Sequence, residues 1–198
     1  MKANKFLDKY RIESSRLKGR DYTEDGFYFI TIGAYQKENL FGEIENEKMI
    51  LNKVGKIVEE EWLKSPRIRQ NVELDKFVVM PNHLHGILII NNFDMRVETP
   101  RRGVSTSAKS ASATSVSPAS NKPQPHHLAW KPNSVGSIIN QFKSVCTKRI
   151  QQIQPAISKI WQSGFHDRII RDEAEFNRIQ SYILTNPENW EKDEIFRR

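Results

Sequence analysis

One domain in which strands and helices are mixed is what this sequence predicts, and three observations carry it. The 198 residues suffice for a single domain with a sizeable core and leave little room for two. Short aromatic and β-branched runs alternate with stretches whose apolar residues recur at the helical period. Between about 97 and 132 the composition shifts to Ser, Thr, Ala, Pro and basic residues with almost nothing to bury, so this stretch reads as a flexible insertion loop within the domain. The expected organisation is a basic N-terminal extension over 1–24, one interrupted domain over 25–190 and a charged tail over 191–198.

Each element has a local reason. Gly26-Phe27-Tyr28-Phe29-Ile30-Thr31-Ile32 is aromatic and β-branched, hence a strand. Leu40 to Ile44 and Lys48 to Leu51, joined by polar Glu45-Asn46-Glu47, predict a small hairpin. Asn52 is placed to cap a helix with Val54, Ile57, Val58 and Trp62 on one side, ending before Pro66. Phe77 to Met80 predicts a strand that Pro81-Asn82 breaks, and His83 opens the next. After the insertion, Ser134 caps a helix with Val135, Ile138, Ile139, Phe142, Cys146 and Ile150 on one side. Extended segments over Ile160 to Gln162 and Phe165 to Ile170 follow. Asp172-Glu173-Ala174-Glu175 is a capping-box pattern opening a helix to about Thr185, with Phe176, Ile179 and Ile183 toward the core and Pro187 enforcing the stop.

The formal charge of +7 and a pI near 9.5 favour a polyanionic partner, nucleic acid ahead of a membrane surface. Cys146 is the only cysteine, which rules out a disulfide framework and a thiolate zinc cluster and fits a reducing compartment. Met1 to Arg20 lacks the apolar segment of a signal peptide, and no apolar run approaches the length of a membrane span. A soluble cytoplasmic protein is the expectation. Lys143, Lys148 and Arg149 lie off the apolar side of their helix and are candidates for phosphate contact or, equally, for a solvated face. His126 and His127 fall in the insertion, where a histidine pair is usually solvated.

The most informative stretch is Pro81-Asn82-His83-Leu84-His85-Gly86. On a strand, alternate side chains share a face, so His83 and His85 point together and Leu84 and Gly86 point opposite. Such a pair is either two buried, hydrogen-bonded rings or half of a metal site. Tyr182 and Asn186 are four residues apart and therefore one turn apart on one helix face, with Tyr182 at the edge of the packed row. A tyrosine hydroxyl can cut a phosphodiester by in-line attack if a bound cation polarises the phosphate. The two imidazoles and the Asn186 amide oxygen are a donor set for such a cation, compatible with Mg²⁺ or Mn²⁺ and leaving Zn²⁺ open.

In its motifs the chain resembles the HUH single-tyrosine transposases of insertion sequences and, within them, the REP-associated tyrosine transposases. The matching motifs are Phe77 to Gly86, Ile160-Trp161-Gln162, Ile169 to Glu173 and Tyr182 to Pro187, with Asn71 to Asp75 and Gln141 to Ser144 also similar. The resemblance runs from about Gly26 to Trp190. It implies a ferredoxin-like (RRM-like) α+β domain with His-x-His on a central strand of an antiparallel sheet and the tyrosine on a nearby C-terminal helix. It implies that His83, His85 and Asn186 hold a divalent cation. It also implies that Tyr182 attacks single-stranded DNA beside an imperfect hairpin, leaving a 5′-phosphotyrosine and a free 3′-hydroxyl. Relatives work as monomers or as homodimers. Family members often carry an aromatic residue and a histidine where this chain has His166 and Arg168, a departure that either tunes DNA contact, with Arg168 the candidate, or weakens activity; insertion-sequence members commonly have Gln at the position of Asn186.

The resulting expectation is a metal-dependent single-stranded DNA endonuclease and strand transferase. The rival from another class is a hairpin or single-strand binding module on the same fold that does not cut, since small sheets presenting aromatics can stack bases without catalysis. A hydrolytic metal nuclease or zinc protein is a third reading, weakened by the lack of a cysteine set and of His-Glu-x-x-His or His-x-Glu patterns.

Overall fold

The computed structural model describes residues 21–92 and 131–192. The extension before Asp21, most of the Ser-rich insertion with His126 and His127, and the tail from 193 lie outside the described residues. In chain order the elements are β1 (Gly26–Gly33), β2 (Gly42–Glu45), β3 (Lys48–Leu51), α1 (Lys53–Leu63), α2 (Ser65–Ile68), β4 (Val72–Met80), β5 (His83–Ile90), α3 (Val135–Ile153), β6 (His166–Ile170) and α4 (Glu173–Thr185). The main sheet is antiparallel throughout, in the order β4-β5-β1-β6, and β2 and β3 pair separately. With the β2–β3 hairpin, α2 and α4 set aside, β1-α1-β4-β5-α3-β6 is the βαββαβ arrangement of ferredoxin-like folds. The expected α+β class and the central position of the His-x-His strand are therefore observed.

Short-range chemistry places the helices where the sequence puts them. The Asn52 side chain accepts from the backbone N–H groups of Val54 and Gly55 and starts α1. Ser134 accepts from Ser137 to start α3, and Asp172 accepts from Glu175 to start α4. The Glu175 carboxylate reaches back to the N–H of Arg171, one residue beyond the partner of a standard capping box.

Three details depart from the expected boundaries. Pro66 follows the end of α1 as expected but sits in the first turn of the short α2, where its missing N–H costs nothing. β4 begins at Val72 rather than Phe77, because a register irregularity between Leu74 and Phe77 absorbs the polar Asp75-Lys76 pair that breaks the apolar pattern. Ile160 to Gln162 contributes a single bridge, Trp161 to Ala34, rather than a strand.

The sheet has two differently covered faces. Tyr28, Ile30 and Ile32 of β1 and Leu84, Leu88 and Ile90 of β5 pack under α1 and α3, against Val54, Val58, Trp62, Ile139, Phe142 and Ile150. On the other face Ile87, Ile170, Ile179 and Ile183 form a smaller core with Phe29, Val78, Ile89 and Phe176, so α4 lies there. Each fully buried side chain of this size contributes about 1.5–3 kcal/mol, and most of them sit under α1 and α3. The face under α4 is thus the less heavily committed one, and it carries the histidines. Among the described residues no helix is long and apolar enough to cross a membrane.

Gly86 has a steric reason. It lies on the α1 side of β5, where an added Cβ would stand 2.7 Å from the ring of the fully buried Trp62. Close approach of α1 to the strand requires glycine there.

Candidate active site

The β4–β5 turn is held from three sides before any histidine is considered. Phe41 N–H donates to the carbonyl of Pro81, Ala34 N–H to that of Asn82, and the Asn82 amide nitrogen donates to the carbonyl of Lys37. That last bond fixes which way the Asn82 carboxamide points. Its oxygen then lies 2.8 Å from Nδ1 of His83 and can only accept, so Nδ1 of His83 carries the proton. In the neutral ring Nε2 is left with the lone pair.

Across the β1–β5 ladder Thr31 is the register partner of His85, and its hydroxyl lies 2.8 Å from His85 Nδ1. With Nδ1 donating to that hydroxyl, His85 Nε2 is the acceptor for the Tyr182 hydroxyl 3.3 Å away. Both imidazoles are thus oriented through Nδ1 by a protein oxygen, the arrangement common among metal-ligating histidines. The rings lie 4.4 Å apart by centroid.

Both rings are held neutral. Burial pushes the His85 imidazole down to about 3, and burial followed by the neighbouring His85 holds His83 well below the ordinary histidine range. A neutral imidazole keeps the lone pair that a cation needs.

From α4, Tyr182 and Asn186 approach the same point. Tyr182 is 41% exposed, with its ring edge-on to Phe29 and His85 and its hydroxyl directed at the histidines. Asn186, the C-cap of α4, is 3% exposed. Its carboxamide faces His83 closely enough to favour the protonated ring, yet its buried oxygen meets no hydrogen-bond donor in proper geometry among the described residues. An orphaned buried oxygen is costly unless something positive binds it. No group of three His, Cys, Asp or Glu side chains able to hold a metal occurs among the described residues, so a site here depends on the Asn186 oxygen as third donor. Two neutral imidazoles and one unsatisfied amide oxygen fit a divalent cation.

The structure brings His83, His85, Tyr182 and Asn186 together and separates them from the α3 cations. Lys143, Lys148 and Arg149 lie on the helix that covers the opposite face of the sheet. Lys143 and Arg149, candidates for phosphate contact or a solvated face, engage protein partners: the Lys143 ammonium donates to the carbonyls of Gln162 and Gly164, both at 2.8 Å, and Arg149 pairs with Glu60 and Glu61. Burial lowers the Lys143 pKa, as for an ammonium drawn into the protein. Lys148 is exposed, away from the histidines. Arg168 does lie on the α4 side of the sheet, as the register partner of Phe29, and it pairs with the buried Glu175 carboxylate.

Four further residues shape the site. Thr31 and Phe29 reach it only through the pairing of β1 with β5, and Phe29 stacks on His85 at 5.2 Å. Trp190, in the turn after α4, tilts toward His83 at 6.0 Å. Asn82 was within reach of sequence reasoning, being adjacent to His83 in the turn; the other three carry no local signal.

The strand order and helix placement define a ferredoxin-like domain, and the chain is similar in fold to a solved structure of a REP-associated tyrosine transposase bound to a REP hairpin, which matches 88% of this chain and 74% of its own, at a TM-score of 0.52 and 17% identity. At that identity the likeness is one of fold. No family model matches the chain. The chain belongs to the same family as a Haemophilus influenzae protein described as uncharacterized, to which it is 36% identical over 186 residues, 92% of each chain.

Proposed function

We propose that this protein is a transposase-type, metal-dependent single-stranded DNA endonuclease and strand transferase, acting on DNA that carries a hairpin. The observation that supports the reading most directly is the approach of the Tyr182 hydroxyl to His85 Nε2, beside His83 and the unsatisfied Asn186 oxygen. His83 and His85, through Nε2, and Asn186, through its amide oxygen, are the residues to hold Mg²⁺ or Mn²⁺. When bound, the cation supplies polarisation of the scissile phosphate.

The chain's own residues account for the rest. Tyr182 loses its proton, its oxygen bonds to phosphorus, and the bond from phosphorus to the 3′-oxygen breaks with its electron pair going to that oxygen, which takes up a proton. No water is consumed, so the 5′-phosphotyrosine keeps the phosphoryl group activated for transfer back to a 3′-hydroxyl. Thr31 and Asn82 hold the imidazole tautomers, and Phe29 and Trp190 wall the histidines. The hairpin partner is argued from the solved transposase of the same fold, which is bound to one.

The test is incubation with labelled single-stranded hairpins drawn from DNA flanking the gene, with and without Mn²⁺, scored on denaturing gels. Mn²⁺-dependent covalent adducts are expected. Nicking without an adduct would point to hydrolysis, and binding that ignores EDTA with no nicking would point to the silent module.

A further inference from the structure

Beside the tyrosine, on the same face of the sheet, lies a groove of about 440 Å³ lined by Phe29, Thr31, His166, Asp167, Arg168 and Arg171. It shares two residues with the histidine site: Thr31, whose hydroxyl meets His85, and Phe29, whose ring touches both His85 and Tyr182. The β1–β6 register explains its lining. His166 pairs with Thr31 and Arg168 with Phe29, which puts these four side chains on the α4 side, while Asp167 pairs with the core residue Ile30 and turns its buried carboxylate to the other face. β6 is the edge of the sheet, and Arg171 follows it at the entry to α4. The groove therefore has an aromatic floor beside the proposed nucleophile and an outer wall of one imidazole and two guanidiniums.

We infer that this groove takes one unstacked nucleotide of the single strand, the one adjoining the phosphate presented to Tyr182, with its base against Phe29 and its phosphate between Arg168 and Arg171. The inference rests on the DNA-cutting reading and deepens it. The volume falls in the range of about 300–1,000 Å³ typical of small-ligand sites, room for one nucleotide but not for a base pair. A paired base has no free face to lay on Phe29, so the groove selects single strand over duplex. Arg168 is fixed in the wall by its pair with Glu175 through one terminal nitrogen, and a guanidinium has further donors for phosphate. Arg171 is exposed, and only its backbone N–H is used by Glu175.

The experiment is fluorescence anisotropy in EDTA, so that nothing is cut, with a labelled DNA hairpin carrying a short single-stranded tail and the same hairpin blunt-ended. Arg171→Gln is expected to weaken the tailed probe on the order of tenfold, to flatten its salt dependence, and to leave the blunt probe unchanged. His166→Gln, also at an exposed position, is expected to give a smaller loss with the same selectivity. Equal loss on both probes, no loss on either, or competition by polyglutamate as strong as by single-stranded DNA would overturn the groove assignment. A parallel adduct assay in Mn²⁺ separates the two claims. Wild-type adducts with variants that bind the tail normally retire the groove alone; tail-selective loss in a protein that forms no adduct retires the cutting reading and keeps the groove.

Discussion

The hydroxyl of Tyr182 stands 3.3 Å from Nε2 of His85, although the two residues are 97 positions apart, on a helix and a strand that meet only in the fold. The contact is made possible by what lies behind the imidazole. Thr31 meets Nδ1, and when that nitrogen donates to the hydroxyl, the Nε2 that faces the tyrosine carries the lone pair.

Removing that support should loosen the proposed cation site without dismantling the domain. Thr31→Val keeps the shape and deletes the hydroxyl. Mn²⁺ affinity measured by calorimetry is expected to fall about 10–100-fold, with Thr31→Ser restoring most of it. Unchanged affinity in the valine variant would mean that the Thr31 contact does not orient His85.

Gly86→Ala tests the steric reading of the motif's last residue. The added methyl meets the Trp62 ring, which is fully buried and has nowhere to go. A loss of about 1–3 kcal/mol in denaturant unfolding is expected.

Lys143 distinguishes a structural lysine from a phosphate contact. Lys143→Met leaves two carbonyls without their donor, so stability should drop by about 1–3 kcal/mol. The salt dependence of hairpin binding should stay the same, whereas a lost phosphate contact would lower its slope by about one.

Acid sensitivity should report Glu61. Burial raises its carboxyl, but hydrogen bonds from Lys64 and Arg149 outweigh that and hold it below its ordinary value of 4.5. Because the folded state binds the proton less readily than the unfolded one, this stabilisation is complete above about 4.5 and is lost as pH falls through the lower folded value. Glu61→Gln should be less stable than the wild type at neutral pH, and the gap should narrow as melting is followed downward from pH 4.5.

That His83 shares a face with His85, and Tyr182 with Asn186, is legible in the sequence because each pair obeys a local period. His83 and His85 are two apart on a strand; Tyr182 and Asn186 are four apart on a helix. The βαββαβ order followed from the resemblance together with legible caps at Asn52, Ser134 and Asp172. What stayed hidden depends on register between distant strands. Thr31 looks like any other residue of an apolar strand until β1 is laid against β5, which fixes it opposite His85. The partners of the α3 cations are hidden for a related reason: a sequence displays the charges of Lys143 and Arg149 but not the Gln162 and Gly164 carbonyls or the Glu60 and Glu61 carboxylates that engage them. The first half of β4 is hidden in the sequence because Asp75-Lys76, at the register irregularity, interrupts the alternation that marks a strand.

The central claim concerns one oxygen atom. Tyr182→Phe removes the hydroxyl and keeps the exposed ring against Phe29 and His85, so folding and hairpin binding should persist. Incubated with labelled hairpin in Mn²⁺ beside the wild type, the Phe variant is expected to give no cleavage and no covalent protein–DNA band. Cleavage or an adduct in the Phe variant would contradict the assignment of Tyr182 as the nucleophile.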